Sequence, residues 1–365
     1  MELTLKKGIV ELMGEVVNQD LCTVCGACAG LCPYLRIYRE RVAMIDLCGI
    51  NKGQCYEICP RTRTDLEALN RQVFGVGRDD HILGTHRKLL FGRAKDASIR
   101  EAGQYGGTVT SLMQFILADH RAEAALLAAR NENFPLLPEP IIAKTPDDVL
   151  KASGSKYTAS PTLSMLEKAL KENRSVSVVG RGCQVTALRK KQAINPEAER
   201  VAPVIGLFCM WALDYRTLES YLEPELDLAK VKKYNIPEGD FVVYTDDGTK
   251  RFPFEEIKDR RRQTCDLCYD FTGELADISV GSTELEDDWN TVIIRSELGE
   301  KLWEDALGAD VVEEKPFPAE RIEVLRNAAR GKKERAVAGL KERFGAQGSA
   351  LGYLVLSEEE AGGYK

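Results

Sequence analysis

The feature that most constrains this chain is one short loop carrying four cysteines, Cys22-x2-Cys25-x2-Cys28-x3-Cys32-Pro33. A backbone that presents three thiolates at two-residue gaps wraps one face of an iron–sulfur cube, and a fourth cysteine followed by proline ligates the other cluster in two-cluster ferredoxins. A zinc site needs two cysteine pairs and gains nothing from the third cysteine or the Cys-Pro. The expected second copy is damaged. Cys55-x3-Cys59-Pro60 matches its last two positions, but Lys52 stands where a cysteine is expected and Cys48 comes one residue early. By the ferredoxin crossing pattern Cys59 completes the set of Cys22, Cys25 and Cys28. Cys32, Cys48 and Cys55 then remain as three ligands, and a three-iron cluster, a four-iron cluster with an outside ligand, and no second cluster all stay open.

Seven of the eleven cysteines fall in this region; the others are Cys183, Cys209, Cys265 and Cys268. Clustered cysteines without a secretory context point to metal or redox chemistry rather than disulfides. The three histidines stand away from every cysteine pair, so mixed Cys/His zinc sites are poorly supported. Cys183 follows an apolar strand through Gly180-Arg181-Gly182 and opens a helix, where the positive helix end favours a thiolate. Cys209 ends a second apolar strand, and Cys265-x2-Cys268 follows the basic run Arg260-Arg261-Arg262. Together these four match the requirement of one cubane. Two plain buried cysteines beside a redox dithiol match the spacing as well.

A formal charge of -7 and an isoelectric point near 5.4 argue against a nucleic-acid binder, which needs a basic face to release counterions. The apolar run Val201–Leu213 is too short to span a bilayer core of ~30 Å. The chain reads as cytoplasmic, without a membrane span.

The expected organisation has three parts: a cysteine-rich ferredoxin-like 4Fe-4S domain over 1–75, an α/β core over 76–318, and a C-terminal amphipathic helix and tail over 319–365. A helix is predicted over 62–74, with Gly75-x-Gly77 as linker. Strands are predicted over 124–128, 175–179, 204–208, 277–280 and 291–294. Helices are predicted after Gly106-Gly107, from Pro161 as first helical residue, and over 184–191. A hairpin turning at Asp247-Gly248 interrupts the alternation. The charged stretch 319–344 reads as a helix with a solvated face, or one that docks on a partner subunit.

In order along the chain stand Gly106-Gly107-Thr108-Val109-Thr110-Ser111-Leu112, Gly154-Ser155-Lys156-Tyr157, Cys183-Gln184-Val185-x-Ala187-Leu188 and Gly206-Leu207-Phe208-Cys209. Cys265-x2-Cys268-Tyr269-Asp270-Phe271, Ala276-Asp277-Ile278-x-Val280-Gly281 and Asp288-Trp289-Asn290-Thr291-Val292 follow. In these motifs the chain resembles the family of beta subunits of coenzyme F420-reducing hydrogenases and dehydrogenases, from Cys22 to about Leu302. The resemblance implies an FAD-binding α/β core with a mixed sheet, and a 4Fe-4S cluster on Cys183, Cys209, Cys265 and Cys268. It assigns Gly106, Gly107, Thr108, Thr110, Ser155, Lys156 and Tyr157 to the flavin. One departure is Gly182, where the family usually has proline. Gly180-x-Gly182 alone is a weak dinucleotide signal, since Val185 fills the third glycine's place.

The expected function is a flavin iron–sulfur oxidoreductase subunit in anaerobic metabolism. Its FAD would exchange a hydride with coenzyme F420 and relay single electrons to a partner catalytic subunit of hydrogenase, formate dehydrogenase or heterodisulfide reductase type. No residue pattern suggests a catalytic metal site of its own. Arg181 and Arg260–Arg262 are candidates for the anionic tail of F420. The alternatives are the same fold served by ferredoxin or a partner subunit, and, more remotely, a zinc-stabilised interaction scaffold.

Overall fold

The computed structural model describes residues 7–50, 52–237, 239–282, 288–345 and 350–362. Parts of the expected N-terminal domain and tail therefore lie outside the described residues.

Eight strands form the central sheet: β1 (Lys88–Ala94), β2 (Ala124–Ala129), β3 (Glu139–Ala143), β4 (Val176–Arg181), β5 (Val201–Leu207), β6 (Ile278–Gly281), β7 (Asn290–Ile294) and β8 (Val312–Pro316). Their spatial order is β8-β1-β7-β6-β5-β4-β2-β3. Four adjacent strands, β6, β5, β4 and β2, are parallel, with three strands beyond β6 and one beyond β2. The other pairings are antiparallel, so the sheet is mixed as expected. Strands such as β2 (Ala-Ala-Leu-Leu-Ala-Ala) and β5 (Val-Ala-Pro-Val-Ile-Gly-Leu) are apolar almost throughout because both faces of a parallel centre are covered. Alternation along β5 shows the two faces. Ile205 packs with Leu112, Met113 and Ile116 of helix α1 (Thr108–Ala118). Its neighbour Val204 packs with Val185 and Leu188 of helix α2 (Gly182–Ile194).

Several predicted elements shift for identifiable reasons. The helix expected from residue 62 starts at Leu66, because Thr64–Asp65 pairs as a strand with Leu354–Val355 and the Asp65 carboxylate caps Ala68 N–H at 3.0 Å. Pro161 does not open an α-helix. It precedes a 3-10 turn, Thr162–Met165, and the α-helix runs over Leu166–Glu172. Hairpin register pairs Thr245 with Gly248, so the turn residues are Asp246 and Asp247.

The C-terminal helix α3 (Ile322–Phe344) is amphipathic as expected, with Glu323, Asn327, Gly331, Glu334 and Ala338 on its solvated face. Its inner face is Leu325, Ala329, Lys332, Lys333, Ala336, Val337 and Leu340, and the two buried lysines on it were not expected. Ala336, Val337 and Leu340, with Leu351 and Leu354 of the tail, share one core with Ile9, Leu12, Val16 and Leu35. The two ends of the chain thus pack as one unit beside the sheet.

Candidate metal and cofactor site

Cys22, Cys25 and Cys28 sit on a loop whose curvature comes from two left-handed residues, Val24 (φ 53°) and Gly26 (φ 94°). Glycine is required at position 26 on two counts: the φ value, and an added Cβ that would lie 2.4 Å from the Pro161 carbonyl oxygen. The Cys25 carbonyl also accepts the Leu163 N–H at 3.1 Å, so the 3-10 turn after Pro161 is the seat on which the loop docks. Helix Ala27–Leu31 then carries Cys28, and Cys59 arrives at the end of helix Gln54–Glu57.

The thiols fall into three groups. Burial raises the Cys25 thiol, and Cys59, Cys183 and Cys22 beside it raise it further. Cys28 is raised by burial and by Cys25, Cys22, Cys59 and Cys55. Cys22, Cys25, Cys28 and Cys59 thus lie near one another, with Cys55 and Cys183 close by. Burial pushes Cys55 up to about 11, with Cys32 and Cys48 as electrostatic neighbours, so these three residues also face one another. Cys209 is pushed up to about 12 by burial and, more weakly, by Cys265 and Cys183. Cys265 has Cys268 as its strongest thiol neighbour. Cys183 is an electrostatic neighbour of both Cys25 and Cys209, which sets the first and third groups near each other. Backbone N–H groups point at several sulfurs: Val24 at Cys22 and Ile50 at Cys48, both 3.4 Å, Arg61 at Cys59, 3.5 Å, and Ala212 at Cys265, 3.4 Å.

Among the described residues no three His, Cys, Asp or Glu side chains converge as ligands of a single metal ion. A lone zinc pulls four sulfurs onto bonds of ~2.3 Å. A cluster spreads its cysteines around several irons.

The third group is built by the sheet. Parallel pairing sets Arg181 opposite Leu207, so β4 and β5 release Cys183 and Cys209 side by side at their carboxyl ends. Cys265 and Cys268 come from the 3-10 turn Gln263–Leu267. Gly182 is explained here: a Cβ there would lie 2.4 Å from the Asp270 carboxylate. That carboxylate instead accepts the Gly273 N–H at 2.7 Å and shapes the loop behind Cys268.

A cleft of about 590 Å³ opens at the carboxyl ends of the four parallel strands, and Cys209 forms part of its wall. Ligand sites in open α/β sheets lie at this edge. Gly107, Thr108, Thr110, Ser155, Lys156 and Tyr157 all line it, whereas Gly106 does not. Gly106 packs against Arg93 and Asn290, where a Cβ would come within 2.8 Å of Arg93. The Thr108 hydroxyl is spent within the fold, at 2.9 Å from the Gly92 carbonyl and 2.8 Å from Asn290. Lys156 Nζ donates only to backbone carbonyls, those of Ala152, Ser153 (2.8 Å) and Gly154 (2.9 Å), and burial lowers its pKa to about 8. Among the described residues that line the cleft, none is a carboxylate. Gln104, which the sequence did not single out, bridges Tyr157 Oη at 2.9 Å and the Ser155 N–H at 3.1 Å.

The basic run is not an open docking surface. Arg260 stacks over Tyr221 at 3.7 Å, Arg261 pairs with Asp266 at 2.9 Å, and Arg262 pairs with buried Glu40 at 2.7 Å while donating to the Cys22 carbonyl. Arg181 lines the cleft but reaches back to the Ser160 carbonyl at 3.3 Å. Other buried cations by the thiols went unnoticed in the sequence. Arg61 donates to the Thr264 and Leu267 carbonyls, both 2.9 Å, and Lys190 to the Cys59 carbonyl at 2.6 Å. Arg61 had a signal, since it directly follows the Cys59-Pro60 pair.

Residues 89–167 and 173–320 match the N-terminal and C-terminal family models of the coenzyme F420 hydrogenase/dehydrogenase beta subunit, and residues 15–35 match a 4Fe-4S binding domain. The chain is 32% identical to the coenzyme F420 hydrogenase subunit beta of Methanothermobacter thermautotrophicus, over 72% of this chain and 96% of that protein. It is 30% identical to a subunit of the F(420)H(2) dehydrogenase of Methanosarcina mazei, over 84% of this chain and 88% of the relative. A chain in a solved structure of the xenon-derivatised F420-reducing [NiFe] hydrogenase complex from Methanosarcina barkeri superposes with a TM-score of 0.68 at 32% identity, covering 73% of this chain and 95% of that one. The chain belongs to the family of coenzyme F420 hydrogenase/dehydrogenase beta subunits.

Proposed function

We propose that this chain is a cytoplasmic electron-transfer subunit that holds FAD in the cleft and 4Fe-4S clusters on its two four-cysteine sets, linking coenzyme F420 to a separate catalytic subunit. The observation that carries this reading is the position of Cys209. It belongs to the third thiol group and also walls the cleft, while Cys183 of the same group is an electrostatic neighbour of Cys25. Cleft, core thiols and N-terminal thiols therefore follow one another in space. The relatives supply the rest: subunits named for F420 hydrogenase and F(420)H(2) dehydrogenase, and a chain in a solved hydrogenase complex.

The cleft residues fit a flavin. The space is walled by apolar side chains such as Met113, Leu127 and Phe271, interspersed with polar ones such as Gln104, Thr110 and Gln184. Gly107 at the start of α1 (φ 65°) lets backbone approach a ligand closely, and Lys156 offers a positive charge to a phosphate or to the reduced ring. When bound, a flavin supplies the conversion between two-electron and one-electron transfer. Tyr157 and Gln104 hold the Ser155 loop against the cleft. Cys32, Cys48 and Cys55 form a third donor set with three thiolates, suited to a cluster with one corner not held by cysteine.

The test is iron, acid-labile sulfide, zinc and flavin content of anaerobically purified protein. About eight irons with one FAD fits the two four-cysteine sets, and about eleven or twelve adds the three-thiol set. Zinc without sulfide or flavin overturns the reading. Reduced F420 is then added: flavin bleaching supports the F420 assignment, and its absence shifts the donor to ferredoxin or a partner subunit.

A further inference from the structure

Helix α3 begins beyond the 173–320 family match, yet it sends a deeply buried cation toward the core thiols. Lys332 is 1% exposed. Its Nζ donates to the carbonyl of Cys209 and, at 2.7 Å, to the carbonyl of Asp270. Both acceptors are neutral. Lys333, the next residue, differs: it pairs with the Glu274 carboxylate and lies over the Tyr269 ring at 3.8 Å. Isolated ammonium groups cost several kcal/mol to bury, so a buried lysine held only by carbonyls calls for an anion. The anions that Lys332 faces are the sulfurs of Cys268, Cys209 and Cys265 and, more weakly, the Asp270 carboxylate. Buried Arg61 and half-buried Arg181, near these thiols and also bonded to carbonyls, complete a cationic surround drawn from three separate segments.

We propose that Lys332 is a positioning residue that compensates the charge of the Cys183, Cys209, Cys265 and Cys268 set and raises the reduction potential of the cluster held there. The inference rests on the cluster reading given above. Each electron added to a cluster adds negative charge, and a fixed cation in a low-dielectric interior stabilises the reduced form more than the oxidised form. The set of Cys22, Cys25, Cys28 and Cys59 has its own buried lysine, Lys190, on the Cys59 carbonyl, and serves as an internal reference.

The experiment is a redox titration of the full-length, anaerobically loaded chain, followed by electron paramagnetic resonance, on wild type, K332M, K332Q and K332R. Lys332→Met and Lys332→Gln are expected to lower the core-cluster potential while moving the N-terminal cluster far less. Lys332→Arg is expected to stay near wild type. An unchanged core potential in a fully loaded Lys332→Met protein overturns the proposal. Should Lys332→Met not fold, glutamine and arginine decide. Arginine loading fully at the wild-type potential beside a glutamine variant that shifts or loses the core irons supports it; the two behaving alike overturns it. Absence of iron and sulfide from wild type would instead strike the cluster reading itself.

Discussion

The two four-cysteine sets reach similar chemistry by different routes. Three ligands of the N-terminal set come from one loop, turned by Val24 and Gly26, and only Cys59 is imported. The core set has no such loop. Cys183 and Cys209 meet because β4 and β5 are parallel and in register, and Cys265 and Cys268 join from a turn far along the chain. Even its cations are distant, with Arg61, Arg181 and Lys332 coming from three segments. A local site can be read and broken locally. A site built by topology inherits the stability of the whole fold.

Single-ligand changes should separate the sets most sharply. Cys25→Ser and Cys265→Ser are each expected to lose about four irons per chain, from different clusters. Only Cys265→Ser should also disturb the cleft, through the group that includes Cys209. Iron analysis with visible spectra of both variants checks this, and identical spectra would erase the distinction. Gly26→Ala comes next, at about 3 kcal/mol of stability, from a left-handed φ combined with collision against the Pro161 carbonyl. Denaturation monitored alongside iron release should show the N-terminal set leaving first while the core set persists.

The tail offers a smaller lever. Burial pushes the Glu360 carboxyl up, but buried Arg78 at 2.7 Å and the Tyr269 hydroxyl at 2.6 Å outweigh it and bring the pKa to about 2. A depressed carboxylate stabilises the fold above its ordinary pKa of ~4.3 and loses that contribution as pH falls toward about 2. Urea unfolding between those pH values should show wild type losing stability that Glu360→Gln already lacks, about 2 kcal/mol, since Arg78 keeps its second partner Glu274. The smallest expected effect is at Lys156. Lys156→Met should weaken flavin binding about tenfold. Wild-type affinity should fall as pH rises through about 8, where the lysine loses its proton, and the variant should show no such step in a fluorescence titration.

Much of the α/β core was legible, because buried parallel strands such as 124–129 and 201–207 are apolar runs bounded by turns. The helix from Pro161 was not, because the 3-10 geometry there is set by the cysteine loop seated on it. Helix α3 was legible as an amphipathic helix, but the burial of Lys332 and Lys333 was not, because their partners, Glu274 and the carbonyls of Cys209 and Asp270, lie far away along the chain. Within the cleft, Lys156 and Tyr157 were found through family motifs, while Gln104 carries no motif at all.

What the sequence by itself determined was the inventory: thiols in sets, glycines at the turns, and the alternation of strands and helices. Those signals are short-range, since ligand spacing, φ preference and apolar periodicity act over a few residues. The tertiary structure decided which thiols face each other, that Cys209 joins the core set to the cleft, and that the two chain ends share one core. It also decided that Lys332 and Lys333, adjacent in sequence, have different partners. These are long-range outcomes because a buried charge is defined by what surrounds it, and its surroundings come from strands, turns and a helix that only folding brings together.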